Sequence, residues 1–267
     1  MKTPKNGRRH QGRRAGFLLA AGLLCGALAM QAPAGVAVAQ EAPATKGVSK
    51  VADGARKDDV ARAPAEMSAE DVARRINDFY KKTNDYQAAF KQTYTDIAAG
   101  DAKTSEGRVY FKTPGKMRWD YHKVGEPSKR DKVLVSDGSV FWIYEFEFQQ
   151  VFKQCLAESQ LPTSLRFLMG QGDLLEEFDV ELTARSTAQR PELKLTPKVP
   201  TGQYRELRFI LDPKSFQVTR TTIFDPYGNT NQIEFIRTQV NRNLPDSGFE
   251  FTPPKGARVL NPQKSCK

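Results

Sequence analysis

The chain has 267 residues, of which 39% are hydrophobic and 27% charged, and its formal net charge is +10. Six of the basic residues lie among the first 14 positions without any acidic residue, and the chain beyond residue 39 carries a net charge of only +4. The remaining charges are mixed in sign and form no basic run, which disfavours a nucleic-acid-binding protein.

The N-terminus has the order of a secretory signal peptide, predicted to span residues 1–39. A basic start precedes an apolar stretch (16–30) and a small-x-small cleavage site (37–39). The apolar stretch is shorter than the ~20 residues that a transmembrane helix needs. Arg13 and Arg14 hint at a twin-arginine signal, but their spacing to the apolar stretch favours the general secretion route.

The three cysteines have different expected roles. Cys25 lies inside the apolar stretch and follows Leu24, whereas an acylated lipoprotein cysteine usually follows a small residue, so we interpret Cys25 as part of the signal. Cys155 and Cys266 remain after cleavage. Because secreted proteins meet an oxidising environment, they are a possible disulfide pair. Their distance in the sequence leaves this pairing open.

The mature chain is predicted to form one domain, at 68–262, between a flexible leader (40–67) and a short tail (263–267). The leader is rich in Ala, Pro, Lys and Asp and has too few large apolar residues to fold. The domain begins with a helix whose N-terminal signal is Ser68 followed three residues later by an acidic residue. Its apolar residues recur at helical spacing: they are Val72, Ile76, Phe79 and Tyr80.

After this helix the pattern changes to period two, which predicts about ten antiparallel strands. The clearest strand has Met117, Trp119 and Tyr121 on one face, and Asp137-Gly138 is a hairpin signal. A short apolar helix is predicted at 161–170. We therefore expect an α+β, mainly β fold in which one long sheet curls and the two helices fill its concave face.

No catalytic or metal-binding pattern is present. His122 is the only histidine of the mature chain, which excludes a two-histidine metal site. A nucleophilic pair of Cys155 and His122 is conceivable, but nothing in the sequence brings the two together. No nucleotide-binding or hydrolase motif occurs. We expect a protein that is not an enzyme and has no cofactor.

Five segments, in the same order, resemble the outer-membrane lipoprotein carrier protein family (LolA). The first strand, the "KRP…F-x-W" strand pair, the "LVSDGKTLWxY" hairpin, an "LTPK" strand end and the terminal "F-x-F-x-PP-x-G" of the family each have a counterpart here. The counterparts are YQAAFKQ (86–92), FKTPGKMRWDY (111–121), VLVSDG with FWIY (133–138 and 141–144), LTPK (195–198) and FEFTPPKG (249–256).

The resemblance implies an unclosed antiparallel β half-barrel with helices forming a lid over an apolar cavity. It also implies a periplasmic carrier that takes lipoproteins from an inner-membrane ABC transporter to an outer-membrane receptor. We expect it to work as a monomer with acylated lipoproteins as cargo. The resemblance places Met117, Trp119, Tyr121 and Trp142 at the cavity, and periodicity adds Phe90, Ile76, Phe79, Leu165 and Leu168 as lipid-binding residues.

One departure from the family concerns the lid. The family's arginine between the lysine and the proline of "KRP" helps to hold the lid closed, and Thr113 stands at that position here. Threonine is shorter and uncharged, so either another group closes the lid or the lid is looser. Lys112 or Arg118 is a candidate substitute, although Arg118 belongs to the charged face of its strand.

Two other functions remain open for the same fold. The first is a receptor anchored in the outer membrane, which would need an acylated N-terminal cysteine. The second is a binding module that senses lipids or lipoproteins and regulates an envelope partner, and the loss of the lid arginine favours it slightly.

Overall fold

The computed structural model describes residues 67–156, Phe167 and 172–260. Helix α1 (Ala69–Lys81) begins as predicted, because Ser68 is its N-cap and the Ser68 side chain accepts a hydrogen bond from the Asp71 amide. A one-turn helix, α2 (Leu174–Glu177), precedes the second half of the sheet, with Asp173 as its N-cap. The predicted signal peptide, leader and tail lie outside the described residues, apart from Met67.

A single sheet of twelve strands, two more than expected, makes up the rest of the fold. The strands are β1 (Asp85–Asp96), β2 (Asp101–Lys112), β3 (Lys116–Lys123), β4 (Glu126–Asp137), β5 (Val140–Glu145), β6 (Gln150–Cys155), β7 (Phe178–Leu182), β8 (Glu192–Pro197), β9 (Glu206–Leu211), β10 (Val218–Phe224), β11 (Thr230–Val240) and β12 (Arg258–Leu260).

The spatial order of the sheet is β12-β6-β5-β4-β3-β2-β1-β11-β10-β9-β8-β7, which leaves β12 and β7 as edges. All neighbours are antiparallel except β12 and β6, which are parallel. The mainly β, unclosed sheet that the sequence predicted is confirmed. The three-residue β12 escaped prediction because its pairing is parallel and joins segments about a hundred residues apart in the chain.

The two faces of the sheet differ in what covers them. Buried residues of β1–β5 and of β7–β11 join those of α1 in one core cluster. Because one buried cluster joins both halves of the sheet and α1, the sheet curls around this cluster, and we call this side the concave face. The opposite, convex face carries a second, smaller cluster beneath the C-terminal segment.

The predicted mid-chain helix at 161–170 lies outside the described residues except for Phe167, which is buried in the core cluster. In the part of the chain that the structure describes, no helix is long and apolar enough to cross a membrane.

Candidate functional site

The concave face of β1–β3 and β11 is a continuous layer of aromatic rings. The Trp119 ring lies at its centre, with its centroid 4.8 Å from that of Phe90, 5.8 Å from that of Phe111 and 6.5 Å from that of Phe235. Tyr121 extends the layer, with its centroid 4.9 Å from that of Phe90. Strand alternation aligns these rings, because every second residue of a strand points to the same face.

Helix α1 packs its own apolar side against the other half of the same face, where it contacts β7 and β8. Ile76 is fully buried, and Tyr80 stacks edge-on against Phe167 with ring centroids 4.9 Å apart. Phe167 in turn lies 6.3 Å from Phe209 of β9. On this half of the sheet the interior is closed between strands and helix, so a molecule bound there would have to displace α1.

Polar contacts tie α1 to its surroundings at two points. Near α2, the buried Asn77 side chain donates to Asp173 Oδ1 (2.7 Å) and accepts from the Leu174 amide (3.3 Å). Near β10, the Tyr80 hydroxyl accepts a hydrogen bond from the Val218 amide (3.3 Å). Lys81 adds a partly exposed ion pair to Asp173 (3.4 Å).

These contacts change the pKa of the Asp173 carboxylate. Its burial acts to raise the pKa, but hydrogen bonds from the Leu175 amide, Asn77 and Lys81 lower the pKa of Asp173 below its ordinary value. The charged form is therefore the one that the contacts between α1 and α2 favour.

Lys112 and Arg118, the candidate substitutes for the family's lid arginine, make their contacts elsewhere in the molecule. Thr113 donates from its hydroxyl to the carbonyl of Thr83, just beyond α1 (3.3 Å). Lys112 donates to the Leu244 carbonyl, and Arg118 pairs with Asp120 on the convex face. In the described part of the chain neither basic residue is bonded to α1, and the mid-chain part of the lid lies outside it, so a role of one of them in closing the lid stays a prediction. Asn77 and Tyr80 hold α1.

The structure places Trp142 on the convex face and contradicts its assignment to the cavity. Strand register joins Trp119 to Leu134 and Ile143 on one face, and joins Trp142 to Val135 and Arg118 on the other. The Trp142 ring packs 5.7 Å from that of Phe251, with the Lys153 ammonium group 5.0 Å from its centre. Phe141 and Trp142 are adjacent aromatic residues, and the sequence alone cannot decide which of the two faces inward.

The other predicted lipid-binding residues fall into three groups. Buried in the core cluster are Phe90, Met117, Trp119, Tyr121 and Ile76, while Phe79 is half-buried beside it. Leu165 and Leu168 lie outside the described residues. Four further core residues were not predicted as lipid-binding, although each lies on an alternating strand: Tyr86, Phe111, Phe209 and Phe235.

A chain of polar contacts marks one margin of the aromatic layer. The Tyr121 hydroxyl donates to Gln92 Oε1 (2.9 Å), and Gln92 donates to Asn231 Oδ1 (2.8 Å). The Lys132 ammonium group lies 4.4 Å from the centre of the Tyr121 ring. Desolvation lowers the pKa of Lys132, and burial raises the pKa of Tyr121 well above its ordinary value.

Among the side chains that the structure describes, two buried polar atoms have no hydrogen-bond partner: Trp119 Nε1 and Thr221 Oγ1. Each side chain belongs to a residue that is only 1% exposed. Most buried polar atoms in proteins are hydrogen-bonded, so such exceptions ask for an explanation.

The structure offers no support for the nucleophilic pair considered above. Cys155 is buried on β6 and is disulfide-bonded, so it has no free thiol. Cys266 lies outside the described residues, and the pairing of Cys155 with Cys266 stays a prediction. Among the described residues, no three His, Cys, Asp or Glu side chains are grouped so as to hold a metal ion.

Comparison with known proteins agrees with this arrangement. The family model described as outer membrane lipoprotein carrier protein LolA matches residues 81–252. The outer-membrane lipoprotein carrier protein of Dechloromonas aromatica is 29% identical over 185 residues, which cover 69% of this chain and 85% of that protein. The protein of the same description from Cupriavidus pinatubonensis is 33% identical over 158 residues, which cover 59% and 70%.

Solved structures with a similar course of the chain are more distant. An uncharacterized conserved protein from Thermus thermophilus matches with a TM-score of 0.47 at 14% identity, covering 73% of this chain and 99% of that one. A LolA superfamily protein from Nitrosomonas europaea matches with a TM-score of 0.40 at 11% identity, covering 69% of this chain and 98% of that one.

Proposed function

Because the chain belongs to the outer membrane lipoprotein carrier protein family LolA, whose members are carriers and not enzymes, we propose that it shields the acyl chains of lipoproteins during their passage through the periplasm. The observation that carries this proposal is the aromatic concave face, which shares one buried cluster with α1. Trp119 lies at the centre of the aromatic layer, and α1 is held on the same face mainly by apolar packing and the ties of Asn77 and Tyr80.

The thermodynamics of transfer fit such an interior. Each buried methylene contributes about 0.8 kcal/mol, so two or three long chains would exceed the roughly 18–21 kcal/mol that limits net affinity. Cargo starts in one membrane and ends in another, so the carrier has to be close to both in free energy. A closed interior whose cover has to be displaced lowers the net affinity in this way.

The same proposal assigns the partners and the location. An inner-membrane ABC transporter would load the protein, and an outer-membrane lipoprotein receptor would unload it. Residues 1–39 would direct the chain to the periplasm and be removed, 40–67 would be a leader, and 68–262 the carrier domain with the tail 263–267. The oxidising periplasm would allow Cys155 and Cys266 to pair.

One end of the sheet has the surface that such partners need. Strand register places the β1–β2, β3–β4, β5–β6 and β10–β11 connections at the same end. Each connection exposes a large apolar side chain, and exposed apolar groups in proximity mark interaction sites. These side chains are Ile97, Val124, Phe148 and Tyr227, all more than half exposed.

A second function, a lipid- or lipoprotein-sensing module, is favoured by one observation. The helix α1 is held by Asn77 and Tyr80 in place of the family's arginine, so its opening has different determinants from those of the family. A sensor would bind lipid but would not release lipoproteins from a membrane.

The deciding experiment measures lipoprotein release. The mature protein is incubated with spheroplasts that synthesise radiolabelled lipoproteins, and label bound to the protein in the soluble fraction is counted. Trp119→Glu places a charge on the concave face, and Trp142→Glu is the matched control on the convex face. Circular dichroism verifies that each variant is folded.

The carrier function predicts soluble label with the wild type and with Trp142→Glu, and at least a tenfold loss with folded Trp119→Glu. Absence of soluble label with the folded wild type and a compatible transporter would contradict it, and binding of lipid without release would favour the sensor.

A further inference from the structure

The two unpartnered polar atoms of the interior lie on the concave face, where an acyl chain would bind. Trp119 is paired through β3 with Val109 and Leu134, and Thr221 through β10 with Phe209 and Ile233. All four of these partners belong to the core cluster and are apolar, as is Phe235 beside the Trp119 ring. No neighbouring side chain of this layer therefore satisfies either atom.

Elsewhere the same core satisfies its buried polar groups. The hydroxyl of Tyr121 has Gln92, the hydroxyl of Tyr80 has the Val218 amide, and Asn77 uses both ends of its amide. Valine, which has the shape of threonine, and an aromatic residue without a ring N–H would be apolar at these two positions and leave no unpaired polar atom. An unsatisfied buried donor costs free energy. The presence of these two residues is therefore explained best by a hydrogen-bond partner that belongs to the bound ligand.

The chemistry of the two atoms restricts that partner. The indole Nε1–H is a donor only, so the ligand has to present an acceptor. The surrounding aromatic rings make a buried charge costly, which disfavours a carboxylate or phosphate at this place. The carbonyl oxygen of an ester- or amide-linked acyl chain is uncharged, accepts hydrogen bonds and is attached directly to hydrocarbon.

Building on the proposed function, we propose that the interior recognises the carbonyl groups of bound acyl chains. Trp119 Nε1 and Thr221 Oγ1 lie on strands that are separated by β2, β1 and β11, so each would donate a hydrogen bond to a different carbonyl. Opening of the concave side would admit the chains, and their carbonyls would satisfy donors that the closed state leaves unpaired. The protein would thus discriminate between acylated molecules and hydrocarbons of equal length.

The test compares ligands that differ only in the carbonyl. Binding of a dipalmitoyl-glyceryl-cysteine peptide is measured against its dihexadecyl ether analogue by competition with a fluorescent fatty-chain probe. A dipalmitoyl phospholipid and its diether analogue form a second pair, which distinguishes a lipoprotein source of the ester from a general glycerolipid source. The variants are Trp119→Phe and the isosteric Thr221→Val, and Thr222→Val on the other face of β10 is the control.

We expect the wild type and Thr222→Val to prefer the lipopeptide ester over its ether roughly fivefold to tenfold, the value of one neutral hydrogen bond. Trp119→Phe and Thr221→Val should each reduce that preference while ether binding persists, which also verifies that they fold. Equal binding of ester and ether by the wild type would overturn the inference and leave the carrier function intact. Binding of neither ligand would contradict the proposed function itself.

Discussion

At the residue scale, Asn77 is a buried polar residue that ties α1 to α2. Replacement by alanine removes a hydrogen bond to Asp173 and leaves the Leu174 amide without its acceptor. We expect Asn77→Ala to lower the free energy of unfolding by about 1–3 kcal/mol, the cost of unsatisfied buried groups. It should also speed hydrogen exchange of the α1 amides. Chemical denaturation and exchange measurements test both effects.

The control for this prediction is Asp78→Ala, one residue further along α1 on the exposed side. A surface change of this kind is usually within about 0.5 kcal/mol of the wild type. If the two variants were equally stable, the proposed tie between α1 and α2 would have no energetic role.

Gly107 is the second residue that the architecture requires. A Cβ at this position of β2 would collide with the carbonyl oxygen of Asp120 and lie 2.9 Å from the Phe90 ring. Gly107→Ala should therefore destabilise the protein by about 1–3 kcal/mol, as overpacked positions do, and urea denaturation measures this. Gly202→Ala, where nothing lies within 4 Å, is the control. Equal stability of the two variants would contradict the tight packing of Phe90.

The sequence predicted which face of the sheet a side chain occupies only where a strand is apolar on one side. Met117, Trp119 and Tyr121 alternate cleanly with charged neighbours, so their common face followed from period two. The face of Trp142 did not follow from this period, because β5 is apolar on both sides and packs against the C-terminal segment on its convex side. Asn77 was missed because a polar residue on the buried side of a helix leaves no periodic signal.

At the element scale, the contact between α1 and α2 should depend on pH. The folded pKa of Asp173 is lower than its ordinary value of 3.8, because hydrogen bonds favour the charged carboxylate over the effect of burial. A lowered pKa contributes stability above the unfolded pKa, and this contribution is lost as the pH falls through the folded pKa. The stability advantage of the wild type over Asp173→Asn should therefore shrink as the pH falls below 3.8.

Urea denaturation of both proteins at near-neutral pH and at pH values below that of a free carboxyl group measures this difference. A difference that stays constant across the range would show that the Asp173 charge has no part in the contact.

Secondary structure followed from local signals more fully than tertiary pairing. The helix start at Ser68 and the Asp137-Gly138 hairpin are short-range features, and both have the expected geometry, with Asp137 Oδ1 accepting from the amides of Ser139 and Val140. The cover of the convex face was not predictable, because Phe251 meets Trp142 across more than a hundred residues of sequence.

At the scale of the whole molecule, one unclosed sheet presents two apolar surfaces with different roles. The convex cluster is covered by the C-terminal segment, with Phe251 against Trp142 and Arg118 donating to the Gly248 carbonyl. On the concave side α1 is held by apolar packing and few polar ties. A carrier needs this asymmetry, because only the surface that receives cargo should be able to open.

The two tryptophans of the chain, Trp119 and Trp142, allow the most direct test, since the structure places one on each face. Single-tryptophan proteins are made with Trp142→Phe and with Trp119→Phe, and each is titrated with a diacyl lipopeptide brominated along its chains. Bromine quenches indole fluorescence only at short range. Strong quenching of Trp119 with little quenching of Trp142 is the predicted result, and binding that quenches Trp142 alone or both residues equally would contradict a concave acyl-chain site.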